Sequence, residues 1–254
     1  MTKYLALFLL LISQVAFAHD MQKKLTLIKT AKQSIVGVGI YNPLGAPRYQ
    51  LRGTGFVVKT TNNNESFIAT NHHVVNGKGF DDAKSEISIH VGEGKDALFY
   101  KAELIAQDER SDVAILKIRA HLPTLPLAAP KYSSPAGSEI FIAGLPIGSV
   151  LGLYKSVHTG YVAAYVPMAI PQNNASQLTI EVIKQLRNPL FVYQLDATAY
   201  PGNSGSPVVD SESGKVIAIL NSVKVKSTKE HVLSDPSGIS YAIPADYIWA
   251  LLPQ

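Results

Sequence analysis

The chain of 254 residues contains no cysteine. That absence excludes thiolate nucleophiles, thiolate metal sites and any disulfide framework, so a covalent nucleophile, if there is one, is an oxygen. Long apolar runs are almost as scarce. The run at residues 5–12 is too short for a bilayer-spanning helix, which needs about 20 residues. Blocks of Lys or Arg are missing too: 23 basic residues stand against 19 acidic ones, a net charge of +4. Their even spread leaves no electrostatic footprint for nucleic acid. There is no internal repeat and no low-complexity tract.

What is present begins with a leader. Lys3, the apolar run and the small-x-small Ala16-Phe17-Ala18 have the layout of a secretory signal peptide, with cleavage after Ala18. Residues 1–18 are set aside on that basis, and the remainder is expected to be exported, to the periplasm or outside the cell, with no membrane insertion after cleavage. Without Lys3, 22 basic and 19 acidic residues leave a net charge of +3. A chain of this size buries enough apolar surface to fold without disulfides.

Residues 19–34 read as a helical segment, with Met21, Leu25 and Ile28 on one face. Short apolar runs then alternate with turn chemistry. Residues 53–58, 66–70, 86–91 and 113–118 read as strands, broken by 61–64, Asn76-Gly77 and 92–94. Residues 121–137, with four prolines, read as a connector. A second strand series follows at 139–143, 156–166, 190–196, 207–210, 215–221 and 239–243, and residues 244–252 form a short helix with proline in its first turn. Residues 167–190 fit either a helix face or a strand alternation and are expected to be an excursion. The pattern predicts an all-β fold of two packed six-stranded-type barrels, 35–120 and 138–254, with an N-terminal helical segment and a short C-terminal helix.

The stretch Ala199-Tyr-Pro-Gly-Asn-Ser-Gly-Ser-Pro-Val-Val209 isolates Ser204 between turn residues, just before a strand. A serine hydroxyl becomes a nucleophile only beside a base that a third group orients. Ser204, Asp210 and His231 have the chain order of an α/β-hydrolase, but that elbow is Gly-x-Ser-x-Gly followed by a helix. Here Ser206 takes the second glycine's place and a strand follows, so that reading fails. The order His, Asp, Ser fits better. His73 ends a strand in Ala69-Thr-Asn-His-His-Val-Val75, and Asp112 stands directly before the alternating residues 113–118. Two barrels would then meet at the site.

The motifs "TNHHVV", "DERSDVAILKI", "PGNSG" and "ISYAIP" resemble the protease domain of the HtrA/Deg family, serine endopeptidases of the trypsin fold. "GNSGSPVV" is similar to the cysteine-free glutamyl endopeptidases and exfoliative toxins of the same fold. The resemblance spans roughly residues 35–250. It implies His73, rather than His72, as general base, Asp112 as its orienting partner, Ser204 as nucleophile, and the N–H groups of Gly202 and Ser204 as the oxyanion hole. It implies polypeptide substrates, unfolded or flexible, and no metal or organic cofactor. Ser206 departs from the usual HtrA glycine, and the sequence stops where HtrA proteins continue into a PDZ domain. A catalytically idle protease fold, acting as a chaperone or binding module, is the alternative.

The resemblance also implies a specificity pocket lined by Thr198, Leu220 and Asn221. Thr198 carries no charge at the pocket base, and Leu220 stands where glutamyl endopeptidases have a histidine. An uncharged pocket, taking small or medium aliphatic side chains, is the expectation, unless Lys224, Lys226 or Lys229 reaches it.

Overall fold

The computed structural model describes residues 20–76, 86–94, 97–146, 152–168, 187–221 and 238–253. The signal-peptide reading, most of the 167–190 excursion and the three lysines at 224, 226 and 229 lie outside the described residues.

The first sheet holds β1 (Ile35–Tyr41), β2 (Tyr49–Thr60), β3 (Ser66–Thr70), β4 (Glu86–Val91), β5 (Leu98–Lys101), β6 (Glu103–Asp108) and β7 (Val113–Ile118), in the order β5-β4-β1-β2-β3-β7-β6. Its two edge strands are consecutive in the chain. Only Ala102, whose N–H donates to the Ile87 carbonyl at 2.9 Å, separates β5 from β6, so the sheet curls back on itself. The second sheet is a closed barrel of β8 (Glu139–Gly144), β9 (Ser156–Pro167), β10 (Phe191–Asp196), β11 (Pro207–Asp210), β12 (Val216–Asn221) and β13 (Ile239–Pro244), ordered β10-β13-β12-β11-β8-β9. The all-β, two-barrel architecture is therefore as expected, with seven strands rather than six in the first sheet.

Three strands escape a reading by alternation. β5 and β6 are largely exposed edges without a clean apolar period. β1 carries Gly37 and Gly39, which weaken a strand pattern. Their reason is steric: a Cβ on Gly39 would lie 2.2 Å from the Gln50 carbonyl oxygen, where the β1–β2 register shifts.

The strands at the seam are buried on both faces. Val57, Ile68, Ala114 and Leu116 fill the first barrel, while their chain neighbours Phe56, Phe67, Ala69, Val113 and Ile115 point into the seam. Phe141, Ala143, Val209 and Ile219 meet them from the second barrel, whose interior holds Ile140, Ile142, Val208 and Leu220. Period-2 alternation thus separates two cores rather than core from solvent, which is why these strands read as continuous apolar runs. Burying one Phe or Ile in such a layer contributes about 1.5–3 kcal/mol.

A helix over residues 20–34, α1, runs directly into β1 and packs against the second barrel. The apolar face expected for it is corrected: Met21 and Leu25 are half exposed, and Leu27, Ile28 and Ala31 make the contact. Leu27 lies over Gly214, Lys24 pairs with Glu139, and Lys155 donates to the Lys32 carbonyl at 2.9 Å. The helix is turned by what it must cover, since charge pairing and the Gly214 gap select the 24-27-28-31 stripe. The proline-rich segment is pinned rather than loose, with Leu125 donating to Val57 and Ala128 to Val216, both at 2.8 Å. After a single turn, α2 (His72–Val75), the last helix is α3 (Asp246–Leu251). Pro244 is not in that helix's first turn; it ends β13, opposite Ala218.

His90 on β4 is fully buried, stacked on Tyr49 and tilted against Phe99. Burial first, then the nearby Lys155 charge, lowers its pKa below the usual histidine value, against an opposing pull from Glu93. An unfolded histidine titrates near about 6.5. Just below that value the unfolded chain binds a proton that the folded chain refuses, so stability is full above it and declines as the pH falls. Melting temperatures compared near pH 7.5 and pH 5.5 (roughly one unit either side of that value) are expected to drop on acidification. In His90→Phe the drop should shrink; an unchanged drop would assign the acid sensitivity to other groups.

Candidate active site

Asp112 is buried and sits at φ 56, in the left-handed region. Aspartate tolerates that region better than most residues, and a local turn imposes it. The Asp108 carboxylate ending β6 accepts from the N–H of Arg110 and from both the N–H and hydroxyl of Ser111. Burial would raise the Asp108 pKa, but the Ser111 hydroxyl, the two backbone N–H groups and the Arg110 charge outweigh it and hold it below the ordinary value. The turn then hands Asp112 inward at the start of β7.

Two segments converge on it. The N–H of His73 donates to Asp112 Oδ1 at 2.9 Å, and His73 Nδ1 lies 2.7 Å from Asp112 Oδ2. Asn221, at the end of β12 in the other barrel, donates its side-chain N–H to the same Oδ2 at 2.7 Å. The Asp112 carbonyl in turn accepts from the Asn71 amide at 2.9 Å and the His72 N–H at 3.2 Å. A carboxylate only accepts, so Nδ1 of His73 is the donor and Nε2 lies on the opposite side of the ring. His73 is partly exposed, with 29 % of its side chain accessible. His72 turns the other way, buried, with Nε2 3.1 Å from the Asn76 amide. Adjacent residues on the single turn α2 thus receive different environments.

Ser204 lies in a turn built by the second barrel. Asn203 donates to the Tyr200 carbonyl and Ser206 to the Asn203 carbonyl, each at 3.0 Å. Gly205 donates to the Leu220 carbonyl at 3.0 Å, and Leu220 to the Ser206 carbonyl at 2.8 Å, which lashes the turn to β12. Gly202 and Gly205 have φ of 94° and 86°, a region glycine enters without penalty. The N–H and C=O of one trans peptide point oppositely, so the Asn203 carbonyl's bond to Ser206 turns the Ser204 N–H outward. The carbonyl of Ser204 accepts from the Thr54 N–H of β2 at 2.8 Å. Gly53 sits between the two halves: a Cβ there would lie 2.7 Å from Val74, the neighbour of His73, and 2.8 Å from the Ser204 carbonyl oxygen. The structure therefore brings His73, Asp112, Gly202 and Ser204 to one seam.

The expected pocket residues divide. Thr198 is half-buried beyond the end of β10. Leu220 is fully buried within the second barrel's apolar cluster, and Asn221 is fully buried on Asp112. Presenting the Leu220 and Asn221 side chains to a substrate is corrected accordingly. One faces the barrel interior, and the other's amide is spent across the seam. The hold of Asn221 on Asp112, and the parts played by Asn71, Asp108 and Thr54, escaped the sequence reading. The one available signal was Asn221 itself, an amide closing an apolar strand, a placement that demands a buried partner. Among the described residues, no three His, Asp or Glu are grouped to hold a metal ion.

Ser206, where the resemblance expects glycine, has room because residue 144 has no side chain. A Cβ on Gly144 would lie 2.1 Å from Ser206 Oγ and 2.8 Å from Asn203 Oδ1. Gly144→Ala is expected to destabilise the fold by about 1–3 kcal/mol through overpacking. Adding Ser206→Gly removes the closest contact and should restore part of the loss. Chemical denaturation of the two single variants and the double variant measures this coupling, and strictly additive effects would show that the two positions do not share this space.

The family model of the trypsin-like peptidase domain matches residues 53–219. A DegP-like probable periplasmic serine endoprotease of Chlamydia muridarum is 30% identical over 204 residues, covering 80% of this chain and 33% of its own length. The serine protease HTRA1 of Xenopus tropicalis is 34% identical over 205 residues, covering 80% and 35%. This chain thus spans about a third of the length of these curated relatives. The crystal structure of the Rv3671c protease from M. tuberculosis in its active form superposes with a TM-score of 0.61 at 20% identity, over 89% of this chain and 82% of that one. With a matching domain model over most of its length and two β-barrels meeting at the seam that holds His73, Asp112 and Ser204, the chain belongs to the trypsin-like peptidase family and is HtrA-like.

Proposed function

We propose that the chain is an exported serine endopeptidase that cleaves polypeptides through His73, Asp112 and Ser204. The observation that carries this reading is the His73–Asp112 pair. A buried carboxylate 2.7 Å from Nδ1 fixes the tautomer and leaves Nε2 as an acceptor on the ring's far side, at the seam where the Ser204 turn is anchored. Ser204 Oγ attacks the substrate carbonyl carbon while His73 Nε2 takes its proton, and the resulting oxyanion is held by the N–H groups of Gly202 and Ser204. Collapse expels the amine, which leaves with the proton from His73. Water then attacks the acyl-Ser204 ester with His73 again as base, releasing the acid and regenerating the hydroxyl. Asp112 stabilises the imidazolium formed in each half.

Export is supported by the leader at residues 1–18 and by the periplasmic location in the names of the DegP-like relatives. Preference for small or medium aliphatic residues is supported by the uncharged Thr198 at the expected pocket base. An unpaired charge in such a pocket costs several kcal/mol, whereas one methylene is worth only about 1–3 kcal/mol, so selection among aliphatic residues is soft.

Labelling with a serine-directed fluorophosphonate and turnover of an unfolded protein test the mechanism. Ser204→Ala and His73→Ala should each lose on the order of 10⁴–10⁶ in turnover, since members of a triad act as a unit, with the fold retained by circular dichroism. His72→Ala should keep most activity. Wild type that neither labels nor hydrolyses, yet binds unfolded chains, would instead establish the idle fold. For specificity, mass-spectrometric mapping of cuts should place most after Val, Ala, Ile or Leu, and a majority after charged residues would overturn the aliphatic pocket.

A further inference from the structure

Thr54 is buried in β2 of the first barrel, yet both its N–H and its hydroxyl donate to the turn that carries Ser204 in the second. Its N–H donates to the Ser204 carbonyl at 2.8 Å, and its hydroxyl donates to the Gly202 carbonyl at 2.8 Å. The same Oγ1 accepts from the Leu145 N–H at 3.0 Å, just beyond β8, and the Thr54 carbonyl accepts from Thr70 Oγ1 at 2.8 Å. Gly205 packs so closely on this strand that a Cβ there would lie 2.0 Å from the Thr54 carbonyl oxygen.

We infer that Thr54 is a positioning residue, whose side-chain hydroxyl sets the direction of the oxyanion-holding N–H groups from the opposite barrel. The inference rests on Ser204 being the nucleophile and Gly202 and Ser204 the oxyanion donors. Two alternate carbonyls of the turn, at 202 and 204, are held by one residue, with the Asn203 carbonyl held in the other direction by Ser206. Three successive peptide planes are thereby fixed. The Gly202 N–H lies one Cα away from the tied Gly202 carbonyl, so tying that carbonyl, with φ at 94°, restrains the N–H from one side. A hydroxyl is required for this, because only a group that donates and accepts at once can join the Gly202 carbonyl to the Leu145 N–H. The β-branched methyl of Thr narrows the rotamers open to that hydroxyl.

The role predicts a loss in the transition state rather than in binding. Removing a direct oxyanion donor costs about 10²–10³ in kcat, and a displaced donor costs less. Thr54→Val, which keeps the shape and removes the hydroxyl, should lower kcat by roughly 10–100-fold per fluorophosphonate-titrated site, with KM changed less than about twofold. Affinity for an aliphatic peptide boronate, which presents a tetrahedral anion, should weaken by the same factor as kcat. Thr54→Ser should rescue kcat to near wild type. Should Thr54→Val not fold, Thr54→Ala read per titrated site carries the same expectation, and failure of both to fold assigns Thr54 to the scaffold and overturns the inference. Wild-type kcat per site in a folded Thr54→Val also overturns it, as does a lowered melting temperature with kcat and boronate affinity unchanged. Ser204→Ala run in parallel separates the premises: if it stays active the mechanism itself falls, and if it is inactive while Thr54→Val is fully active only the role of Thr54 does.

Discussion

The Asp112 carboxylate is the joint on which the site depends. It accepts from the backbone and ring of His73 in the first barrel and from the Asn221 amide in the second. A buried carboxylate is costly unless its lone pairs are met, so the two barrels must present these donors together for either to be stable in place. The left-handed backbone at Asp112 costs on the order of 1–2 kcal/mol for a residue with a Cβ, and the Asp108-capped turn of residues 108–111 holds it there. Orientation of the proposed base is thereby a property of the whole seam, not of the His73 turn.

The seam is rigid for a reason visible in its strands. β3, β7, β8 and β11, and β2 over residues 53–57, each bury both faces, one in a barrel and one between barrels. A one-residue slip would exchange the two sets of side chains, and a Phe that fits the seam does not fit the space of a Val in the barrel. At the site, polar contacts cross the seam from Asp112 to Asn221 and from Thr54 to the Gly202–Ser204 turn and Leu145. Where backbones approach most closely, side chains are absent: Gly53 between Val74 and Ser204, Gly205 against Thr54, and Gly144 beneath Ser206. These glycines let the segments carrying His73 and Ser204, from different barrels, pack closely across the seam.

Much of this was legible in order along the chain. β3, β4, β7 and β11 begin and end where alternation and turn residues place them, and the motifs around His73, Asp112 and Ser204 occupy the seam as anticipated. What failed did so for physical causes. β1 hides behind glycines demanded by its bulge with β2. β5 and β6 are exposed edges with no face to bury. The α1 face was misread because Met21 and Leu25 have the right spacing but no surface to cover, while Leu27 has the gap at Gly214. Leu220 and Asn221 were assigned to a pocket by position in a strand, although strand position does not say which groups across the seam claim a side chain.

The sequence by itself determined the class of the fold, the exclusion of thiol chemistry, the uncharged Thr198 and the chain order of the histidine, aspartate and serine, because each is a matter of residue identity and local period. Only the tertiary structure decided that both the backbone N–H and the ring of His73 meet Asp112, that Asn221 completes its carboxylate, and that Thr54 grips the Ser204 turn. Those pairings join residues 39 to 150 positions apart. Local pattern carries no record of them; they exist only when two barrels, each stable through its own alternation, are pressed together along a shared apolar face.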